Sequence, residues 1–267
     1  MAKLTEIADA ADPRLDDFRD LTTADRRPDR PGGRGLVIAE GVVVVRRLLS
    51  SAYPLRAVLG VPRKLDELRA DLADFDVPAY ATSARTMSDV VGFHLNRGVL
   101  AVADRAPTPS LADVVDGARV LAVLEGVNDH ENLGAMFRNA AALGVDGVLL
   151  GAGCADPLYR RSVRVSMGHV LRVPFTSVPA WPDAVEELRR RGFHVAALTP
   201  RSDAIALRDV RRSGFDRIAL LLGSEGHGLS QEALDAADSA VRIPMASGVD
   251  SLNVATAAAV AFYELTR

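Results

Sequence analysis

Short apolar runs alternate with stretches of helical periodicity from about residue 35 onward, and this rhythm predicts the architecture before any single residue is considered. Leu36 to Ala39 reads as a strand, Val42 to Leu49 as a helix, Leu55 to Gly60 as a strand and Asp66 to Leu72 as a helix. Ala79 to Thr82 and Val99 to Ala103 read as strands around a helix at Met87 to Val91, completing a small α/β unit. Two nearby prolines in APTPSLADVVDGA then interrupt regular structure. Beyond them the alternation strengthens, with continuous apolar strands expected at Val120 to Leu124, Val148 to Leu150, Val195 to Leu198, Ile218 to Leu222 and Val241 to Ile243. Helices are expected at Leu133 to Leu143, Tyr159 to Leu171, Pro182 to Arg191, Gln231 to Ala237 and Leu252 to Leu265. Gly144 and Gly192 follow the last turns of two of them, where a left-handed residue commonly stops a helix. Strands apolar throughout and joined by helices imply a mainly parallel sheet covered on both faces.

The expected domains are therefore a flexible lead-in over residues 1–34, a smaller α/β domain over 35–106, a linker over 107–118 and a larger parallel-sheet domain over 119–267. The lead-in is polar and rich in Asp, Arg, Pro and Gly, and reads as a short helix followed by flexible chain. The longest apolar stretches fall far short of the roughly 20 residues that a bilayer-spanning helix needs. The N-terminus lacks the basic start and apolar core of a secretory signal, so no membrane segment and a cytoplasmic location are expected. Cys154 is the one cysteine, which rules out an intramolecular disulfide.

Composition is that of a globular protein, 48% hydrophobic and 25% charged over 267 residues. The net charge of -3 argues against a protein that coats nucleic acid by bulk electrostatics. Neither half is basic: residues 1–105 hold 16 Lys+Arg and 16 Asp+Glu, leaving 16 and 19 for the remainder. A nucleic-acid partner would have to be held locally. Arginine clusters at Arg26, Arg27, Arg30 and Arg34 and again at Arg160, Arg161 and Arg164, and it is the better fork for phosphate; solvated surface explains such clusters equally well.

In an open parallel sheet ligands bind beyond the carboxyl ends of the strands, which directs attention to three loops. EGVNDHENLGAMFRNAA follows Val120 to Leu124, with Asn132 at a candidate helix N-cap and Gly134 one turn before Arg138. A glycine there leaves a face open for a ligand, with the guanidinium free to grip phosphate; a surface arginine on an amphipathic helix is the plain alternative. GSEGHGLS follows Ile218 to Leu222 and carries Gly223, Gly226, Gly228 and one acid, Glu225. It fits neither the dinucleotide fingerprint nor a phosphate-binding P-loop, and a tight structural turn would also explain it. His227 has no second His, Cys or carboxylate at ligand spacing, so no metal site is expected. The third loop, PMASGVDSLNVATAAAVAFYEL, places Ser251 and Asn253 before a helix of small residues. Ser251 is a candidate cap, Asn253 can present polar groups to a pocket, and no G-x-S-x-G surrounds the serine.

Taken in order, N-x-G-x-x-x-R, GSEGHGLS and IPM followed by SLNVATAAA resemble the three signature motifs of the SpoU (TrmH-type) RNA 2'-O-methyltransferases of the SPOUT superfamily. CADPLYRRSVRVSMGHVLRVPF resembles the family's stretch between the first two motifs. IAEGVVVVRRLL is similar to part of the substrate-binding domain that many members carry, a small α/β fold related to RNA-binding ribosomal proteins. The resemblance implies an α/β fold: a C-terminal knotted (trefoil) parallel-sheet methyltransferase domain with a smaller N-terminal α/β RNA-binding domain, assembled as a homodimer. It implies S-adenosylmethionine as cofactor, bordered by Leu198, Thr199, Gly223, Ile243, Ser251 and Leu252, and a catalytic set of Asn132, Arg138, Glu225, Ser251 and Asn253. In such enzymes the arginine of one subunit reaches the cofactor of the other. His130 and Asn139 depart from the family pattern, which often has Pro and Thr or Ser there; they bear on substrate identity more than on activity.

Methyl transfer to a ribose hydroxyl is limited by the poorly acidic 2'-OH, so positioning and proton removal dominate. A guanidinium is a poor base near neutrality, and Arg138 is assigned to holding the adjacent phosphate and stabilising charge on the 2'-oxygen. Ser251 and Asn253 would orient the ribose and the N-terminus of the last helix, and Glu225 would brace the glycine loop or the arginine. The accessory domain points to 23S rRNA before tRNA. The competing expectation is a non-catalytic RNA-binding or ribosome-assembly protein of the same fold, against which the retained Asn132, Arg138, Glu225 and Asn253 argue. A nicotinamide-dependent oxidoreductase fails on the missing fingerprint.

Overall fold

The computed structural model describes residues 2–19, 21, 35–178, 181 and 183–267. The cluster Arg26, Arg27, Arg30 and Arg34 lies outside the described residues. The chain forms two compact units, Met1–Pro107 together with Asp156–Arg172, and Thr108–Ala155 together with Val173–Arg267.

The first unit is built on five strands: β1 (Lys3–Glu6), β2 (Val37–Glu40), β3 (Leu55–Gly60), β4 (Pro78–Ala81) and β5 (Val99–Ala103). Their order is β1-β4-β3-β5-β2, with β1, β4 and β3 parallel and β5 antiparallel to both of its neighbours. The described part of the N-terminal segment is not a lead-in. Lys3–Glu6 pairs with β4, and a 3-10 turn at Pro13–Phe18 places Leu15 and Phe18 in the core beside Ile7 and Leu21. Asp12 caps that turn, its carboxylate accepting from the Arg14 backbone N–H at 2.9 Å. The helix expected at Asp66 to Leu72 lies earlier, at Pro62–Glu67, because Pro62 supplies a ready-made first helical residue.

Asp156–Arg172 completes this unit although it follows the strands of the other in sequence. Arg105 pairs with Asp156, Arg160 Nη1 lies 3.4 Å from the buried Glu40 carboxylate, and Arg47 donates to the Met167 carbonyl. The single helix expected from Tyr159 to Leu171 is broken into Arg160–Val165 and a 3-10 turn at His169–Leu171. Met167 and Gly168 both adopt left-handed backbone, φ 55° and 82°, which ends the first piece.

The second unit is a seven-stranded, wholly parallel sheet: β6 (Val120–Leu124), β7 (Gly147–Leu150), β8 (Phe175–Ser177), β9 (His194–Leu198), β10 (Ile205–Ala206), β11 (Ile218–Leu222) and β12 (Ser239–Arg242). The order is β10-β12-β9-β11-β6-β7-β8. β6 and β11 are buried at every residue and pair in register, Leu124 against Leu222, as central strands covered on both faces must be. One face is filled by Val123, Leu149, Leu188, Val195 and Leu221. Residues expected as linker belong to this unit: Ser110 and Asp113 form a reciprocal capping box on the short helix Leu111–Val115, whose Val114 and Val115 are buried in the same core. Because all seven strands run the same way, the loops after β6, β9, β11 and β12 emerge at one end of the sheet. No helix of the described residues is long and apolar enough to cross a membrane.

Candidate active site

A cavity of 510 Å³ opens at the carboxyl ends of the central strands. Its walls come from the loop after β9 (Leu198, Thr199), the glycine loop after β11, and the segment between β12 and the final helix (Ile243, Met245, Ser251, Leu252, Asn253). All six residues expected to border the cofactor, Leu198, Thr199, Gly223, Ile243, Ser251 and Leu252, line it. Gly226 and Gly228 of the glycine loop line it too, as do Met245, Val254 and Ala257, which no motif singles out because small or apolar side chains give no such signal alone.

The glycine loop folds back on itself. Ser224 and Gly228 exchange two backbone hydrogen bonds, at 3.2 and 3.0 Å, and Gly226 and Gly228 have φ of +89° and +70°. A Cβ on Gly223 would stand 2.1 Å from the Gly228 carbonyl carbon and 2.2 Å from the Leu229 nitrogen. Only glycine allows that approach, so the loop presents backbone to the cavity. An apolar floor of Leu198, Leu222 and Ile243, a rim with Leu252 38% exposed, and a wall of backbone groups suit a mid-sized ligand with an apolar body and a few polar contacts. S-adenosylmethionine is of that kind, and the cavity volume falls within the range of small-molecule sites, roughly 300 to 1,000 Å³.

At the mouth three of the expected catalytic residues meet. Asn253 Nδ2 donates to Asn132 Oδ1 at 2.8 Å and also to Glu225 Oε1. The Val254 backbone N–H reaches the same Glu225 oxygen at 3.4 Å. One side chain thus ties together the three loops that the sequence motifs mark. Asn253 is also the N-cap of the final helix, Val254–Leu265: its Oδ1 accepts from the Ala255 and Thr256 N–H groups at 3.0 and 3.1 Å. Ser251 is therefore not the cap; it stands upstream of the first helical residue and lines the cavity instead.

Asn132 is not a cap either. The helix begins earlier, at His130, and Asp129 caps it by accepting from the Glu131 and Asn132 N–H groups at 2.9 and 2.8 Å. This frees the Asn132 side chain, in the first turn, to accept from Asn253. Gly134 and Arg138 do not share an open face, because Gly134 is buried and Arg138 is exposed. The helix His130–Leu143 packs along the final helix, where Asn139 Nδ2 donates to the Ala255 carbonyl at 2.9 Å. Arg138 does not line the cavity, and no described residue pairs with its guanidinium. His227 is exposed in the glycine loop, and among the described residues no group of three His, Cys, Asp or Glu side chains could hold a metal ion.

Residues 119–263 match the model of the SpoU rRNA Methylase family. An uncharacterized tRNA/rRNA methyltransferase of Mycobacterium tuberculosis is 58% identical over 263 residues, covering 98% of this chain and 91% of that protein. A 23S rRNA (guanosine-2'-O-)-methyltransferase of Bordetella pertussis is 34% identical over 177 residues, 64% of this chain and 71% of its own length. In fold, the crystal structure of an AdoMet-bound rRNA methyltransferase from Sinorhizobium meliloti superposes with a TM-score of 0.82 at 24% identity, covering 98% of this chain and 97% of that one. With the second and third motif loops lining one cavity, the first bonded to them through Asn132, and more than half of the chain matched, this protein belongs to the SpoU rRNA Methylase family.

Proposed function

We propose that this chain methylates a ribose 2'-hydroxyl of RNA, 23S rRNA in preference to tRNA, as a homodimer. The observation that carries the reading is the Asn132–Asn253–Glu225 bridge at the mouth of a cavity lined by the second and third motif loops. When bound, S-adenosylmethionine supplies an activated methyl group whose carrier leaves uncharged, so the demand for catalysis falls on the acceptor hydroxyl. Backbone groups of the glycine loop and the apolar walls of Leu198, Ile243 and Leu252 hold the cofactor body. Asn253, fixed by two bonds to side chains and two to its own helix, keeps the cavity mouth in one geometry, which is the positioning contribution such a reaction needs. Ser251 has the role of meeting the ribose, which its exposure and its position in the cavity lining support.

Arg138 has the role that its exposure suits: holding the phosphate beside the target ribose and stabilising negative charge as it develops on the 2'-oxygen. Its absence from the cavity lining of its own chain supports a role at the cavity of a partner subunit. The preference for rRNA is supported by the N-terminal unit and by the name of the Bordetella relative. The test is transfer of labelled methyl from S-adenosylmethionine to separated rRNA and tRNA, followed by mapping of alkali-resistant linkages. Labelled, alkali-resistant linkages in 23S rRNA are expected. Label confined to tRNA would overturn the rRNA preference, and label in base-modified nucleotides would overturn the 2'-O reading.

A further inference from the structure

Glu125 stands immediately after β6, at the carboxyl end of a central strand, and takes no part in the bridge at the cavity mouth. Its backbone N–H donates to the Leu222 carbonyl at 2.9 Å, which sets it beside the start of the glycine loop. Its carboxylate then reaches the loop's other end. Oε2 accepts from the Ser230 backbone N–H at 2.8 Å, while Oε1 accepts from the Ser230 hydroxyl at 2.8 Å and from the Trp181 indole N–H at 2.5 Å. Ser230 in turn caps the helix Gln231–Ala236, its Oγ accepting from the Ala233 N–H at 3.1 Å. Three donors converge on one half-buried acid, an arrangement that suits an acceptor-only carboxylate and no neutral amide.

The loop from Gly223 to Ser230 is thus anchored at both ends by acids on different elements. Glu225 ties its front to Asn253, and Glu125 ties its back to the strand beside it. Between the anchors the loop contributes Gly223, Ser224, Glu225, Gly226 and Gly228 to the cavity wall. Gly223 leaves no slack, since its Cα lies too close to the backbone of Gly228 and Leu229 for even a methyl group. Displacement at Ser230 is therefore passed to the residues that face the ligand.

We infer that Glu125 is a positioning residue for methyl transfer, holding the glycine loop in its cofactor-binding shape through Ser230, and that Trp181 reports this shape through the same carboxylate. The inference rests on the functional reading above. Trp181 is the only tryptophan and is 9% exposed, so its emission reads the state of this one junction.

Full-length protein tested by calorimetry and by Trp emission during titration with S-adenosylmethionine decides the matter. Wild-type binding is the control, and its failure would indict the functional reading instead. Glu125→Gln keeps the shape of the side chain but turns an amide donor toward donors. It is expected to weaken cofactor binding about ten-fold, the loss of one charge-assisted hydrogen bond, and to shift Trp emission in the unliganded protein. Ser230→Ala should weaken binding by less, and the double variant no more than Glu125→Gln alone, because both act through one contact. The KM for cofactor should rise with kcat little changed. Glu125→Gln that is folded, with wild-type cofactor affinity and KM, would overturn the inference even if its Tm fell. Should that variant fail to fold, Ser230→Ala decides: weakened cofactor binding with shifted Trp emission in the folded variant supports the positioning role, whatever the lost helix cap costs in Tm, and wild-type affinity refutes it.

Discussion

Changing Asn253 to Asp separates two jobs that one side chain performs. As a helix cap the two residues are equivalent, and a carboxylate at a helix N-terminus is favoured by the dipole by about 0.3–1 kcal/mol. The acceptor bonds from Ala255 and Thr256, at 3.0 and 3.1 Å, can therefore survive. The amide donor cannot. Its bond to Glu225 is charge-assisted, a class worth about 1.5–3 kcal/mol, and its bond to Asn132 belongs to the neutral class, about 0.5–1.5 kcal/mol. Exposure of Asn253 puts both at the low end. Two carboxylates near 4 Å repel by about 1 kcal/mol in bulk water. The expected net loss is about 2 kcal/mol, a fall in Tm of roughly 4–8 °C for a protein of this size. Asn253→Ala loses the cap, worth about 1 kcal/mol, and the same bridges, but without repulsion. The two variants should thus be similarly destabilised, and Asn253→Asp should bind S-adenosylmethionine at least as poorly. Differential scanning calorimetry with cofactor titration measures both quantities. An Asn253→Asp protein with wild-type Tm and affinity would show that Asn253 is a cap alone, and the bridge reasoning would be wrong.

Arg138→Ala should abolish methyl transfer while leaving cofactor affinity within about two-fold, by analogy with other groups that act only on the developing charge. Mixed dimers of Arg138→Ala and Asn253→Ala subunits should regain activity if the arginine serves the partner's cavity, because one intact site then forms; complete inactivity of the mixture would place the arginine in its own subunit's site. Gly223→Ala should lose cofactor binding below detection by calorimetry, since the added carbon would sit 2.1 Å from the Gly228 carbonyl carbon, and retention of binding would disprove the closeness of that crossing. His194 supplies a pH dependence. It stacks on Phe215 at 3.8 Å and contacts Ser239 Oγ at 2.9 Å, and burial holds its imidazole below the ordinary value near 6.5, against the pull of Asp238. The unfolded chain then binds the proton more readily, so stability should rise with pH from the depressed folded value up to about 6.5 and level off above it. Urea melts of His194→Gln should show a flatter profile over that window, and an unchanged slope would exclude this histidine as the source.

The central strands of both sheets were legible because buried strands must be apolar at successive positions, and β3, β5, β6 and β11 fall at the residues that pattern marks, whereas the edge strands β1, β8 and β10 carry no such run. The three loops were legible only together: each alone also reads as a tight turn, a surface arginine or a helix cap, and the order of all three carried the resemblance. Their convergence on one cavity was implied only by resemblance until the parallel sheet brought its carboxyl ends together. What local sequence did not determine is which neighbour each polar group would find. Asn132 and Ser251 read as caps because cap residues look alike in one dimension; the first helical turns lie elsewhere, so Asp129 and Asn253 take those roles. Lys3–Glu6 has no apolar alternation and is a strand only because β4 offers a parallel edge. Asp156–Arg172 looks like part of the domain that surrounds it in sequence, yet it completes the other unit, where Arg160 faces the buried Glu40. Glu125 opens the first motif loop, yet no signal in the sequence assigned it a role of its own. Its place at the back of the glycine loop depends on Ser230 and Trp181, more than fifty residues away along the chain and joined to it only by hydrogen bonds that the tertiary fold creates.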